Sequence, residues 1–164
     1  MYGQMLNGRF PKGSIDEPTM DVIHKLTEGT IALWRTMQNK MLPTPAKFHY
    51  IFNLRDLSRV FQGVFMCPVR EVIHSDTVLL GLWKHECERV FSDRLIEQKD
   101  TDWFHSQICE QLAETFKKDW KAVTNTEEER LLYGDFMKDE GAEYEVMPDM
   151  KALIEKNMSR TIGR

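Results

Sequence analysis

Pro43 to Gly63, reading PTPAKFHYIFNLRDLSRVFQG, constrains the fold more than any other stretch. Its two prolines lock φ and push the preceding residues out of the helical region, so Leu42 to Pro45 is predicted to be an extended crossing. Phe48 to Phe52 is short, apolar and aromatic. Asn53 then opens a helix. Asparagine is a strong N-cap, and Asp56, three residues on, is placed to reach back to the cap's free N–H as a capping-box glutamate does. Leu54, Leu57, Val60, Phe61, Val64 and Phe65 recur at helical spacing and predict one buried stripe. Arg55 stands apart. In a first helical turn the dipole disfavours a cation by about 0.3–1 kcal/mol, so an arginine there is either solvated surface or meets an anion from outside.

Further helices are expected on both sides. Tyr2 to Phe10 predicts a short one, broken by Gly8, Pro11 and Gly13; its abrupt start suggests a piece of something longer. Pro18 suits the first turn of a long helix beginning after Asp16 or Glu17. Val22, Ile23, Leu26, Ile31, Trp34, Met37 and Met41 keep its rhythm to Leu42. Gly29 interrupts it at about 1 kcal/mol relative to alanine. Either tertiary packing simply tolerates the glycine, which is the expectation, or the small residue admits another helix at close range. Pro68 stops the Asn53 helix near Cys67, and Val69 to His74 reads as a connector. Ser75 or Asp76 caps the next long helix. Leu79, Leu82, Trp83, Cys87, Val90, Phe91 and Leu95 form its apolar face, and His85, Glu86, Glu88, Arg89, Asp93 and Arg94 fill the rest. Glu86 with Arg89, and Arg89 with Asp93, stand at ion-pair spacings. Asp100 or Thr101 is expected to cap a fourth helix burying Trp103, Phe104, Ile108, Leu112, Thr115 and Phe116, which runs out between Lys117 and Trp120. Lys121 to Arg130 reads as a polar linker and Leu131 to Phe136 as a short apolar patch. Tyr144 to Met147 is expected to be extended, Pro148 to start a last short helix, and Ser159 to Arg164 to fray.

Composition narrows the function classes. With 164 residues, 41% hydrophobic and 29% charged, the chain reads as one folded domain with an appended segment. A net charge of −4 argues against a nucleic-acid partner, which calls for a basic patch. No run approaches the roughly 18 apolar residues of a membrane span, so no membrane partner is expected. Met1 to Phe10 lacks the apolar core of a leader peptide. Cys67, Cys87 and Cys109 are odd in number and form no CxxC, so they read as reduced, mostly buried thiols. Cys87 lies on an apolar face and is expected to be structural rather than a nucleophile. His85-Glu86 would need a second histidine one turn on to face a zinc ion, and position 89 is Arg89. The other histidines are scattered, and no metal site is expected. The chain has no GxxxxGK[ST] loop, whose glycine amides wrap phosphates, and no acidic cluster after an apolar strand to hold Mg²⁺. By itself it is therefore expected to be non-catalytic.

Two blocks, LPTPAKFHYIFNLRDLSRVFQG and LWKHECERVFSDRLI (Leu82 to Ile96), resemble successive segments of the lid of the third AAA+ module in axonemal dynein heavy chains, nearest to the outer-arm type. They occur in the expected order and at the expected separation, and looser similarity runs over nearly the whole chain. The resemblance implies an all-α fold: an AAA+ small-domain-like bundle of about four main helices with a C-terminal helical extension. It implies a lid at residues 1–120, and a linker and lead-in helix to the fourth module at 121–164. Asn53-Leu54-Arg55-Asp56-Leu57 resembles the NxRxL pattern of a second-sensor arginine. On that resemblance Arg55 would reach the γ-phosphate of ATP held by the large domain of the same module. Arg59, Arg89 and Arg94 become candidates for module contacts or structural ion pairs. No cofactor is expected in the segment itself; ATP or ADP with Mg²⁺ belongs to the parent module. The implied partners are the adjacent large domains, and, for the parent, microtubules and other dynein chains in a ciliary or flagellar axoneme. A stand-alone helical protein–protein interaction domain is the alternative. The two readings differ in one respect: a lid separated from its large domain leaves apolar faces exposed.

Overall fold

The computed structural model describes residues 2–10, 16–67, 73, 75–120, 132–134 and 145–147. Five α-helices follow one another in these residues: α1 (Tyr2–Arg9), α2 (Glu17–Lys40), α3 (Leu54–Met66), α4 (Asp76–Cys87) and α5 (Gln98–Phe116). The architecture is all-α. The long α2 is its axis, packed against α1, α4 and α5, while α3 lies on α4. Leu26, Leu33, Met37, Phe61, Val64, Leu79, Trp83, Phe104, Ile108 and Leu112 meet in one continuous core. Trp83 Nε1 donates to Thr30 Oγ1 at 2.9 Å, and its ring stands edge-on to Phe116 with centroids 5.2 Å apart. A Cβ on Gly29 would stand 3.0 Å from the Phe116 ring. The glycine is therefore not merely tolerated; its missing side chain lets α5 close on α2.

The chain between α2 and α3 is less extended than its prolines predict. The Lys47 N–H donates to Thr44 O at 2.9 Å and the Tyr50 N–H to Lys47 O at 3.1 Å, so the crossing folds into consecutive turns. These turns sort the aromatic segment: Tyr50 and Phe52 are buried, and Phe48 and Ile51 stand in solvent. Leu54 also faces out, so the buried stripe of α3 begins at Leu57. Ser75 caps α4, accepting from the Val78 N–H at 3.4 Å. That helix does not run on regularly to Leu95. After Cys87 it widens into a π-helical turn, Glu88–Ser92, closed by Asp93 N–H to Glu88 O at 3.1 Å.

Two further expectations fail for one reason, the drawing of polar side chains into tertiary contacts. Asp100 does not cap α5, whose N-cap is Glu97. Its carboxylate instead accepts from Lys47 Nζ at 2.6 Å and Tyr50 Oη at 3.0 Å, holding the α2–α3 segment against α5. His85, Glu86 and Glu88, expected outside the apolar face, are buried together with Lys84. At its far end α5 stops at Lys117, whose left-handed φ of 57° turns the chain away. Beyond the bundle, β1 (Leu132–Gly134) pairs antiparallel with β2 (Glu145–Met147), Tyr133 opposite Val146. The Tyr133 hydroxyl donates to Val78 O at 3.2 Å and ties this ribbon to α4. Lys121 to Arg130, Val69 to His74 apart from Ile73, and the helix expected after Pro148 lie outside the described residues.

Candidate functional site

Asn53 and Asp56 set the start of α3 by the expected reciprocal bonds. Asn53 Oδ1 accepts the backbone N–H groups of Arg55 at 2.9 Å and Asp56 at 3.3 Å, and Asp56 Oδ2 takes the Asn53 N–H at 2.9 Å. Asp56 also does what local sequence did not reveal. It is buried, and Arg94 clasps it with Nη2 to Oδ1 at 2.8 Å and Nη1 to Oδ2 at 3.3 Å. Arg94 Nη1 also donates to Ile51 O at 2.8 Å, and its guanidinium lies 5.0 Å from the Phe52 ring centroid. One arginine thus joins the end of the π-turn to the segment entering α3. Burial opposes the charge on Asp56. The Arg94 bonds, the Asn53 N–H and nearby Arg59 outweigh it and hold the carboxyl below its usual range.

This clasp fixes the backbone on both sides of Arg55. The Arg55 side chain is exposed in the first turn of α3, and among the described residues its guanidinium makes no hydrogen bond or ion pair. Large apolar side chains stand out from the same region: Phe48 (73% exposed), Ile51 (58%), Leu54 (63%) and Ile96 (61%). Ile96 belongs to it because its N–H donates to the Tyr50 hydroxyl at 3.0 Å, and His49 Nε2 meets Arg94 O at 3.0 Å. The cation is therefore presented beside an apolar rim.

Arg59 from α3 joins Arg89 and Arg94, much later in the sequence, in lining one open cleft of about 280 Å³ with Val90 and Asp93. Arg59 lies one turn beyond Arg55 on α3, 3.7 Å from Asp56 Oδ1. Arg89 grips Glu86 Oε2 through Nε at 2.9 Å and Nη2 at 2.6 Å. Glu86 itself is wholly buried against α3, where a Cβ on Gly63 would come within 1.9 Å of Oε2. Arg55 does not line the cleft.

The remaining chemistry is structural. Burial pushes the Cys67 thiol up to about 12 and that of Cys87 well above its ordinary range, so neither is a thiolate nucleophile near neutrality. Glu88 is buried between Lys84 Nζ at 2.5 Å and His105 Nδ1 at 3.3 Å. Burial works against its charge, but the His105 hydrogen bond and Lys84 prevail and depress its pKa. Lys84 also lies over the Trp120 ring, 4.0 Å from its centroid. Among the described residues no group of three or more His, Cys, Asp or Glu side chains could hold a metal ion, and no helix is long and apolar enough to cross a membrane.

The described residues thus form an all-α bundle that presents Arg55 from a capped helix start, with large apolar side chains exposed nearby. Residues 26–126 match the AAA+ lid domain family, and the chain belongs to that family. Its relatives are axonemal and flagellar dyneins. The chain is 38% identical to the dynein gamma chain of the flagellar outer arm from Chlamydomonas reinhardtii over 153 residues, which takes in 85% of this chain and 3% of that one. It is 42% identical over 123 residues to dynein axonemal heavy chain 5 of Mus musculus, covering 75% of this chain and 3% of the relative. Identity to dynein axonemal heavy chain 1 of Homo sapiens is 45% over 114 residues, covering 68% of this chain and 2% of the relative. The sequence thus spans only a few hundredths of the length of these proteins.

Proposed function

We propose that residues 1–120 are the lid of the third AAA+ module of an outer-arm-like axonemal dynein heavy chain, and that residues 121–164 lead into the fourth. The lid closes a nucleotide site and senses its state, and the closure passes around the ring to ATP-driven, microtubule-based movement in the cilium or flagellum. One observation carries this reading: Arg55 is held by a capped helix start, lacks an internal partner among the described residues, and stands beside apolar side chains that ask for a cover. The cover is the large domain of the same module, and the next large domain is the second partner.

The parts assigned to this chain are limited. A guanidinium at the mouth of a helix donates a planar fork to phosphate oxygens, strongest where the approaching domain excludes water. Arg55 is the group offered to the γ-phosphate of ATP. The metal and the phosphate loop are assigned to the large domain. Asp56 and Arg94 hold the helix start and touch no nucleotide.

The test is Arg55→Ala and Arg55→Lys in the full heavy chain, with nucleotide affinity measured at the module preceding this segment. A charged hydrogen bond contributes about 1.5–3 kcal/mol, so Arg55→Ala is expected to weaken ATP by about tenfold or more, and Arg55→Lys less. Unchanged ATP affinity with a folded ring overturns the sensing role.

A further inference from the structure

We propose that the cleft between α3 and the π-turn docks an acidic segment of a partner protein domain, with a carboxylate side chain seated against Arg59. The proposal goes beyond the nucleotide role and does not depend on it. Its starting point is the convergence of Arg59, Arg89 and Arg94 on one open cleft, although the chain as a whole is acidic. The carboxylates that balance two of them are buried and do not line the cleft: Asp56 is 5% and Glu86 0% exposed at the side chain. Those two acids are consumed by short bonds from Arg94 and Arg89, so solvent meets mainly the outer faces of the guanidiniums.

Arg59 is the anchor. Its side chain is 52% exposed, and its 3.7 Å approach to Asp56 is too long for a hydrogen bond. Asp56 already takes two bonds from Arg94 and one from the Asn53 N–H, so Arg59 gains more from an incoming carboxylate within hydrogen-bond reach than from the one beneath it. Val90 supplies an apolar wall for the methylenes of a glutamate. Asp93 at the rim favours the monoanionic carboxylate over a phosphate dianion, which it repels more strongly. A volume of about 280 Å³ suits one or two acidic side chains.

The experiment titrates this chain, labelled for arginine side-chain NMR, with an acetylated and amidated tetraglutamate peptide, and in a parallel arm with inorganic phosphate. The expected result is that the peptide shifts the Nε resonances of Arg59, Arg89 and Arg94 together. Arg59→Gln then weakens the peptide at least tenfold, Arg59→Lys weakens it less, and Lys25→Gln on the far pair with Asp21 leaves it unchanged. Arg89→Gln is the second variant, and circular dichroism establishes that each variant keeps the helical fold. Absence of peptide binding, binding indifferent to Arg59→Gln, or phosphate binding tighter than peptide would each overturn the proposal.

Discussion

Leu54 and Glu86 have exchanged the places that their chemistry favours: the leucine is 63% exposed and the glutamate 0%. Around Leu54 the start of α3 is apolar and uncovered. Around Glu86 the last turn of α4 and the π-turn are charged and enclosed, with Lys84, His85 and Glu88 beside it. The contrast separates two jobs. Buried charges cost several kcal/mol each to desolvate and persist only when every partner is in place, so they fix one arrangement of α3, α4 and α5. Exposed apolar residues cost the isolated domain little, and they acquire value when another surface covers them. One region holds the bundle together; the other is the surface we propose a partner covers.

Substitutions in the two regions are expected to differ sharply. The largest effect belongs to Glu88→Ala, which removes the buried carboxylate shared by Lys84 and His105. Its removal is expected to lower stability by about 3–5 kcal/mol, measured by urea unfolding. Gly63→Ala comes next. Its Cβ would fall 1.9 Å from Glu86 Oε2 and force the carboxylate off Arg89, an overpacking of about 1–3 kcal/mol. Adding Glu86→Ala relieves the clash, so the double variant should lose clearly less than the sum of the singles.

Acid sharpens the comparison further. Asp56 and Glu88 both titrate below their usual range in the folded chain. A depressed carboxyl stabilises fully above its unfolded value, near pH 4, and that stabilisation is lost as pH falls through the folded value. Stability should therefore decline below about pH 4, and Asp56→Asn should make the decline shallower. The smallest effect is Leu54→Ser, expected within about 0.5 kcal/mol of the parent stability because the side chain is already in water. A large loss there would remove the distinction between the two regions.

The same contrast explains what could be read from the chain. The bundle was legible because α2, α3, α4 and α5 each announce themselves by helical rhythm and most by a start signal: Pro18, the Asn53–Asp56 box and Ser75. These signals are local, worked out within a few residues. Arg55 stood out for the same reason, as a cation in a first turn. The buried acids were not legible, because Glu86 and Glu88 look like solvated-face residues until α3 and α5 arrive beside them. Their cationic partners Arg89 and Lys84 are local, but their burial is settled by tertiary approach, at Gly63 for Glu86 and at His105 for Glu88. Leu54 erred in the opposite sense: helical spacing assigns it to the stripe, but as the first residue of α3, after the extended Asn53, it faces outward. The cleft required Arg59 and Arg94 to be brought together across 35 positions of chain, through a π-turn that no periodicity announces.

The central claim is that the apolar rim beside Arg55 is covered by the large domain of its own module. The most direct measurement places a photo-reactive benzoyl-phenylalanine at position 54 of the full heavy chain and maps the crosslinks with and without an ATP analogue. The account predicts crosslinks into the large domain immediately preceding this segment, with their yield rising when the analogue closes the lid. Crosslinks confined to other proteins, or none in either state, would contradict it.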